Sequence, residues 1–158
     1  MRGIAVTCFA VMTFFACSDY SDVSGLWQTP ADDNTVTVNQ LGTPFEGRIQ
    51  LAIDQFGPDV AGIVQFFSDA DYYVEEGCFY VENAKVKGKQ FLFTIQLDDT
   101  RILHGTLKAA KRDGAEYLEG SLSDPHDETF PTLELSLKNV GNASDVHKQG
   151  LDEGCQEP

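Results

Sequence analysis

The chain has 158 residues, with 25 acidic against 11 basic side chains and a formal net charge of −14. That length fits one domain with room for a proper core. A field of this sign repels nucleic acid and anionic lipid surfaces, whose recognition needs Lys and Arg to neutralise phosphates, so no nucleic-acid partner is expected.

At the N-terminus, Arg2 is the only charge before Asp19, and residues 4–16 are apolar or small. A basic start, an apolar run of about 7–15 residues and small residues at its end make a secretory signal peptide. The run falls short of the roughly 20 apolar residues that span a bilayer. The composition turns polar and acidic at Ser18-Asp19-Tyr20-Ser21-Asp22. At the boundary, Phe14-Phe15-Ala16-Cys17 resembles the signal of bacterial lipoproteins. Ala16 fits that pattern, while Phe14 and Phe15 stand where the family has Leu and a small residue. The resemblance implies that Cys17 becomes the first mature residue and carries a lipid that holds the protein to a membrane. Ser18 after it is compatible with the outer membrane of a Gram-negative cell envelope. An ordinary secretory signal and an uncleaved anchor are the alternatives. The expected organisation is a signal peptide over 1–16, a lipidated tether over 17–23, a β domain over 24–140 and an acidic polar tail over 141–158.

With the signal removed, the charge becomes −15, and Cys8 leaves with the apolar run. If Cys17 carries lipid, Cys78 and Cys155 remain as an even pair in an oxidising compartment, where bridges persist. A Cys78–Cys155 disulfide would pin the tail to the barrel wall and, in the chain-entropy model, contribute up to about 4–5 kcal/mol. Two free thiols are the alternative.

Next comes Ser24-Gly25-Leu26-Trp27, which holds the only Trp. Gly-x-Trp at the opening of a β domain resembles lipocalins and other small bacterial meander barrels. The resemblance implies that Gly25 and Trp27 are structural residues at one barrel end, with Trp27 plugging it; an ordinary core Trp is the alternative. The likeness is one of architecture. Ser68-Asp69-Ala70-Asp71-Tyr72-Tyr73 comes too early for the second lipocalin motif, and Lys138, in the region of that family's basic residue, falls on the polar face of its strand.

From there the apolar period is two. Ile49, Leu51 and Ile53 share one face; Phe91, Phe93, Ile95 and Leu97 alternate with Leu92, Thr94 and Gln96; Leu133, Leu135 and Leu137 alternate with Glu134 and Ser136. This alternation predicts half-buried strands, near 24–28, 35–41, 47–56, 60–68, 78–87, 90–97, 101–110, 116–123 and 132–139. Turn signals such as Gly57-Pro58-Asp59, Lys87-Gly88-Lys89 and Arg112-Asp113-Gly114 separate them. Short linkers force antiparallel neighbours. Gly62, Gly105 and Gly120 each lie inside an apparent strand, where a closing sheet needs bends. The expectation is an all-β fold, a single antiparallel up-and-down barrel of about eight to nine strands, with a β-sandwich as runner-up.

Candidate chemistry is thin. His104 reads as a surface strand residue, and His147 lies in the tail. His126, within Asp124-Pro125-His126-Asp127-Glu128, could help hold a cation but lacks calcium-loop spacing, so a solvated turn is the stronger reading. Asp32-Asp33, Glu75-Glu76 and Asp98-Asp99 sit in predicted loops. No zinc-protease, phosphate-loop or nucleophile-elbow motif occurs, and neither a cofactor nor catalysis is expected. Phe66, Phe67, Tyr72, Tyr73, Phe79 and Tyr80 cluster around one long connection, as filled core or as the lining of a ligand pocket. The expected function is a non-enzymatic binding or interaction barrel of the cell envelope, partnered by the membrane and an envelope protein. The alternative is a lipocalin-like carrier of a small apolar ligand.

Overall fold

The structure, a computed structural model, describes residues 21–30, 35–38, 45–68, 77–127, 132–143 and 155. The signal segment and Cys17 lie outside the described residues, as do Asp32, Asp33, Tyr72, Tyr73, Glu75, Glu76, Glu128 and His147. No helix occurs among the described residues. They form β1 (Gly25–Gln28), β2 (Thr35–Val38), β3 (Phe45–Phe56), β4 (Asp59–Ser68), β5 (Gly77–Tyr80), β6 (Glu82–Lys87), β7 (Gln90–Gln96), β8 (Ile102–Arg112), β9 (Ala115–Ser123) and β10 (Leu133–Gly141).

Every pairing is antiparallel, and nine strands follow one path: β5-β4-β3-β1-β10-β9-β8-β7-β6. The tenth, β2, pairs both β10 and β3. β1 and β2 therefore occupy the same slot, as two pieces of one stave. The ends of the path are also two pieces of one stave, because β5 and β6 are separated only by Val81. The Val81 N–H donates to the Gly62 carbonyl of β4 at 2.8 Å, and just beyond it the chain changes partner from β4 to β7. The register shifts there around Asn83, whose φ is 49°. The result is a nearly closed up-and-down barrel with eight stave positions and a bulged seam, the usual place for a strand to bend. The inward phase slips by one residue there, from Phe79 and Val81 to Ala84 and Val86, and the small Ala84 leaves no strong apolar marker of the slip in the sequence.

Eight strands leave an interior just wide enough for side chains to fill. Ile49, Leu51, Ile53, Phe66, Phe91, Ile95, Leu103, Leu107, Leu118, Leu122 and Leu133 are fully buried and belong to one continuous cluster. Phe66 meets Phe79 edge-on with centroids 5.8 Å apart, and Phe91 stacks on Phe93 at 4.8 Å. Gly105 makes this packing possible: it faces Phe93 across the β7–β8 ladder, and a Cβ there would come within 2.3 Å of the Phe93 ring.

Residues 21–24 were expected in, or next to, a loose tether, but the structure packs them on the barrel. The Ser21 N–H donates to the Gly88 carbonyl in the β6–β7 turn at 3.0 Å, and the Val23 N–H donates to Gln55 Oε1 at 2.9 Å. Val23 is 0% exposed. One apolar side chain among polar neighbours gives no periodicity to read, so the sequence does not report this contact. Trp27 lies inward beneath this crossing segment, 2% exposed, and its indole N–H donates to the Val23 carbonyl at 2.9 Å. Gly25 starts β1 with φ 140°, close against the Asn139 amide of β10, where a Cβ would approach Nδ2 to 2.9 Å.

Candidate functional site

The outer wall over β10, β1, β3 and β4 carries two features. The first is a strap. Past β10, Ala143 packs onto outward-facing residues of the wall, and so does Cys155, which is disulfide-bonded to Cys78 of β5 with Cα atoms 4.7 Å apart. Beneath them lie Leu26 of β1, Ala52 of β3, Ile63 of β4 and Tyr80 of β5. Both described residues of the tail after Asn142 are thus buried against the wall.

The second feature is a groove of about 400 Å³ just below that strap. It exists because β1 stops early. Pro30 has no N–H to continue the ladder, so the pairing ends one residue before it on a side chain. Thr29 donates its N–H to the Ile49 carbonyl at 3.0 Å, and its hydroxyl accepts the Ile49 N–H at 3.0 Å. Gln28 and Gln50 form the floor, with Gln28 Nε2 donating to Gln50 Oε1 at 3.1 Å. Arg48 of β3 and Lys138 of β10 stand on its two sides. Phe67 of β4 and Val140 of β10 add exposed apolar surface, 38% and 52% exposed. The Arg48 guanidinium lies over the Phe67 ring, 5.7 Å from its centroid, which is cation–π range.

The sequence-predicted site residues fall in different places. Cys78 and Cys155 come together. Gly25 and Trp27 lie at the barrel end crossed by the N-terminal segment, and Trp27 bonds to Val23 rather than to any basic residue. Lys138 points outward beside Gln28, on the opposite face of the wall from Trp27. The aromatic cluster divides: Phe66 and Phe79 enter the core, Tyr80 lies under the strap, and Phe67 flanks the groove. His104 is exposed on β8. The His126 N–H donates to Asp124 Oδ1 at 2.8 Å, so that carboxylate closes its own turn. Among the described residues no group of three His, Cys, Asp or Glu side chains is placed to hold a metal ion.

Asp98 is likewise a turn residue. It accepts from the Thr100 N–H at 2.9 Å, the Thr100 hydroxyl at 2.8 Å and Arg101 Nε at 2.6 Å. These bonds, the Thr100 N–H foremost, hold its carboxyl well below the usual carboxylate range. The groove itself was missed. Its signal was Thr29-Pro30 interrupting a strand pattern, with Arg48 and Lys138 at outward positions of the flanking strands. Comparison of the chain with protein-family profiles, curated proteins and solved structures returned no match.

Proposed function

We propose that this chain is a lipid-anchored protein of a Gram-negative cell envelope, tethered through Cys17. Its barrel serves as a non-enzymatic binding module that works through its outer wall. One observation carries the reading: the described inward side chains form a single continuous cluster, closed at one end by Val23 and Trp27. A carrier needs a cavity of about 300 Å³ or more to hold a ligand, and this packing favours a scaffold over a container. The outer wall, by contrast, offers a groove of about 400 Å³.

Native mass spectrometry of the purified chain tests the choice. The expected species is the polypeptide with its N-terminal lipid and no stoichiometric apolar adduct. A retained small apolar molecule that survives delipidation would instead support a carrier. Cys17→Ser should move the protein from the membrane to the soluble fraction; an unchanged membrane fraction would remove the anchor from the proposal.

A further inference from the structure

We propose that the outer-wall groove binds a small amphiphilic anion. A single carboxylate or similar acid group lies between Arg48 and Lys138, and an apolar or aromatic body lies against Phe67. The inference deepens the outer-wall reading above and rests on it.

Charge carries the first half. Arg48 and Lys138 are the two cationic side chains that line the groove. Arg101 is bonded to Asp98, and Arg112 is ion-paired with Glu119 while lying over the Tyr117 ring. Arg48 and Lys138 have no carboxylate partner among the described residues. Register places Lys138 opposite Gln28, and Gln28 opposite Gln50, on three adjacent strands. With strands about 4.8 Å apart and Arg48 two residues from Gln50, the two cationic residues stand about 12 Å apart at the backbone. Long flexible stems let both charges converge on one acid group above the glutamine pair. Gln50 accepts from Gln28, and its own amide N–H groups have no protein acceptor among the described residues. The guanidinium stacked on Phe67 keeps its N–H edge available to an acceptor.

Apolar surface carries the second half. Only four large apolar side chains are notably exposed among the described residues, and two of them, Phe67 and Val140, line this groove. Its volume falls in the range of sites for small organic molecules. The overall charge of −14 sets the upper limit on size. An acid group held within about 8–10 Å of Arg48 and Lys138 feels mainly them at physiological salt. A polyanion would extend beyond that screening length into a repulsive field.

The test uses the full chain carrying Cys17→Ser, followed by amide and side-chain NMR shifts. The probes are 3-phenylpropionate, its neutral amide, and acetate. Phenylpropionate should shift Gln28, Arg48, Gln50, Phe67 and Lys138, with both other probes at least about tenfold weaker, roughly the loss of one good contact. Arg48→Gln, Lys138→Gln and Phe67→Ala should each weaken binding by about the same factor, Arg48→Lys should restore part of it, and Lys108→Gln on the far wall should change nothing. The proposal is overturned if millimolar phenylpropionate leaves these residues unshifted. It is overturned equally if the neutral amide or acetate binds as tightly as the aromatic acid. A ligand retained in the lumen would sink the outer-wall reading, whereas an unresponsive groove sinks only this inference.

Discussion

Two neighbouring rows of the same wall have opposite characters. In one, Leu26, Ala52, Ile63 and Tyr80 stand side by side across β1, β3, β4 and β5. In the next, two residues along each strand, stand Gln28, Gln50 and Gln65, before Cys78 returns to the strap through its bond to Cys155. Backbone and strands are shared; what differs is the cover. The first row is apolar because Ala143 and Cys155 lie on it, so it behaves as a second, smaller core. The second is polar because it meets water, and beside it the groove has formed. Outward positions on a barrel are thus not uniformly surface: a short run of apolar residues there marks where another piece of chain docks.

Removing the cover should break the contrast most. Cys155→Ser, or reduction of the bridge, opens a loop joining residues 77 apart. The expected cost is about 2–5 kcal/mol in urea unfolding, the common range for native disulfides in small secreted domains. Unfolding curves that superimpose with and without reductant would show that the strap adds nothing. One step smaller, Ile63→Ala should cost about 2–4 kcal/mol as a core-type truncation. Phe67→Ala in the groove should change stability by no more than about 0.5 kcal/mol. Equal losses at the two positions would erase the distinction between the covered row and the groove. Thr29→Val should cost about 1–3 kcal/mol, because the buried Ile49 N–H loses its acceptor; the same denaturation assay reads it, together with loss of the groove's NMR response.

The smallest effect should appear away from both rows. Asp98 is held in its ionised form by the β7–β8 turn. Its contribution is therefore present above the ordinary carboxylate value of about 4 and is lost as pH falls below it. The difference in melting temperature between the wild type and Asp98→Asn should shrink as pH is lowered from 7 toward 2. A difference that stays constant with pH would show that the turn does not use the charge.

Much of this architecture was legible before any coordinates. Period-two alternation placed the staves, as at Phe91, Phe93 and Ile95, because a half-buried strand leaves no other pattern. Turn residues such as Asp113-Gly114 fixed the hairpin that joins Arg112 to Ala115. The Cys78–Cys155 pair was the expected one if Cys17 is set aside for a lipid, and the structure bonds these two. Three features did not come through. The break at Val81 shifts the inward phase from Phe79 and Val81 to Ala84 and Val86, but the small Ala84 leaves that slip without a strong apolar marker. Val23 is a lone apolar residue whose burial depends on a distant turn at Gly88. The groove depends on where β1 ends relative to β3 and β10, a relation between strands that no single segment encodes.

The position of β1 also has a consequence for how the molecule is made. Trp27 pairs with Leu51 on one side and Asn139 on the other, so the first stave lies between an early strand and the last one. Local hairpins such as β3–β4 and β8–β9 can zip as soon as they exist, but the ring gains its final neighbour only after β10 has been synthesised. Non-local pairing of this kind slows folding. Until β10 has emerged, the early hairpins stand with one side of the first stave unpaired.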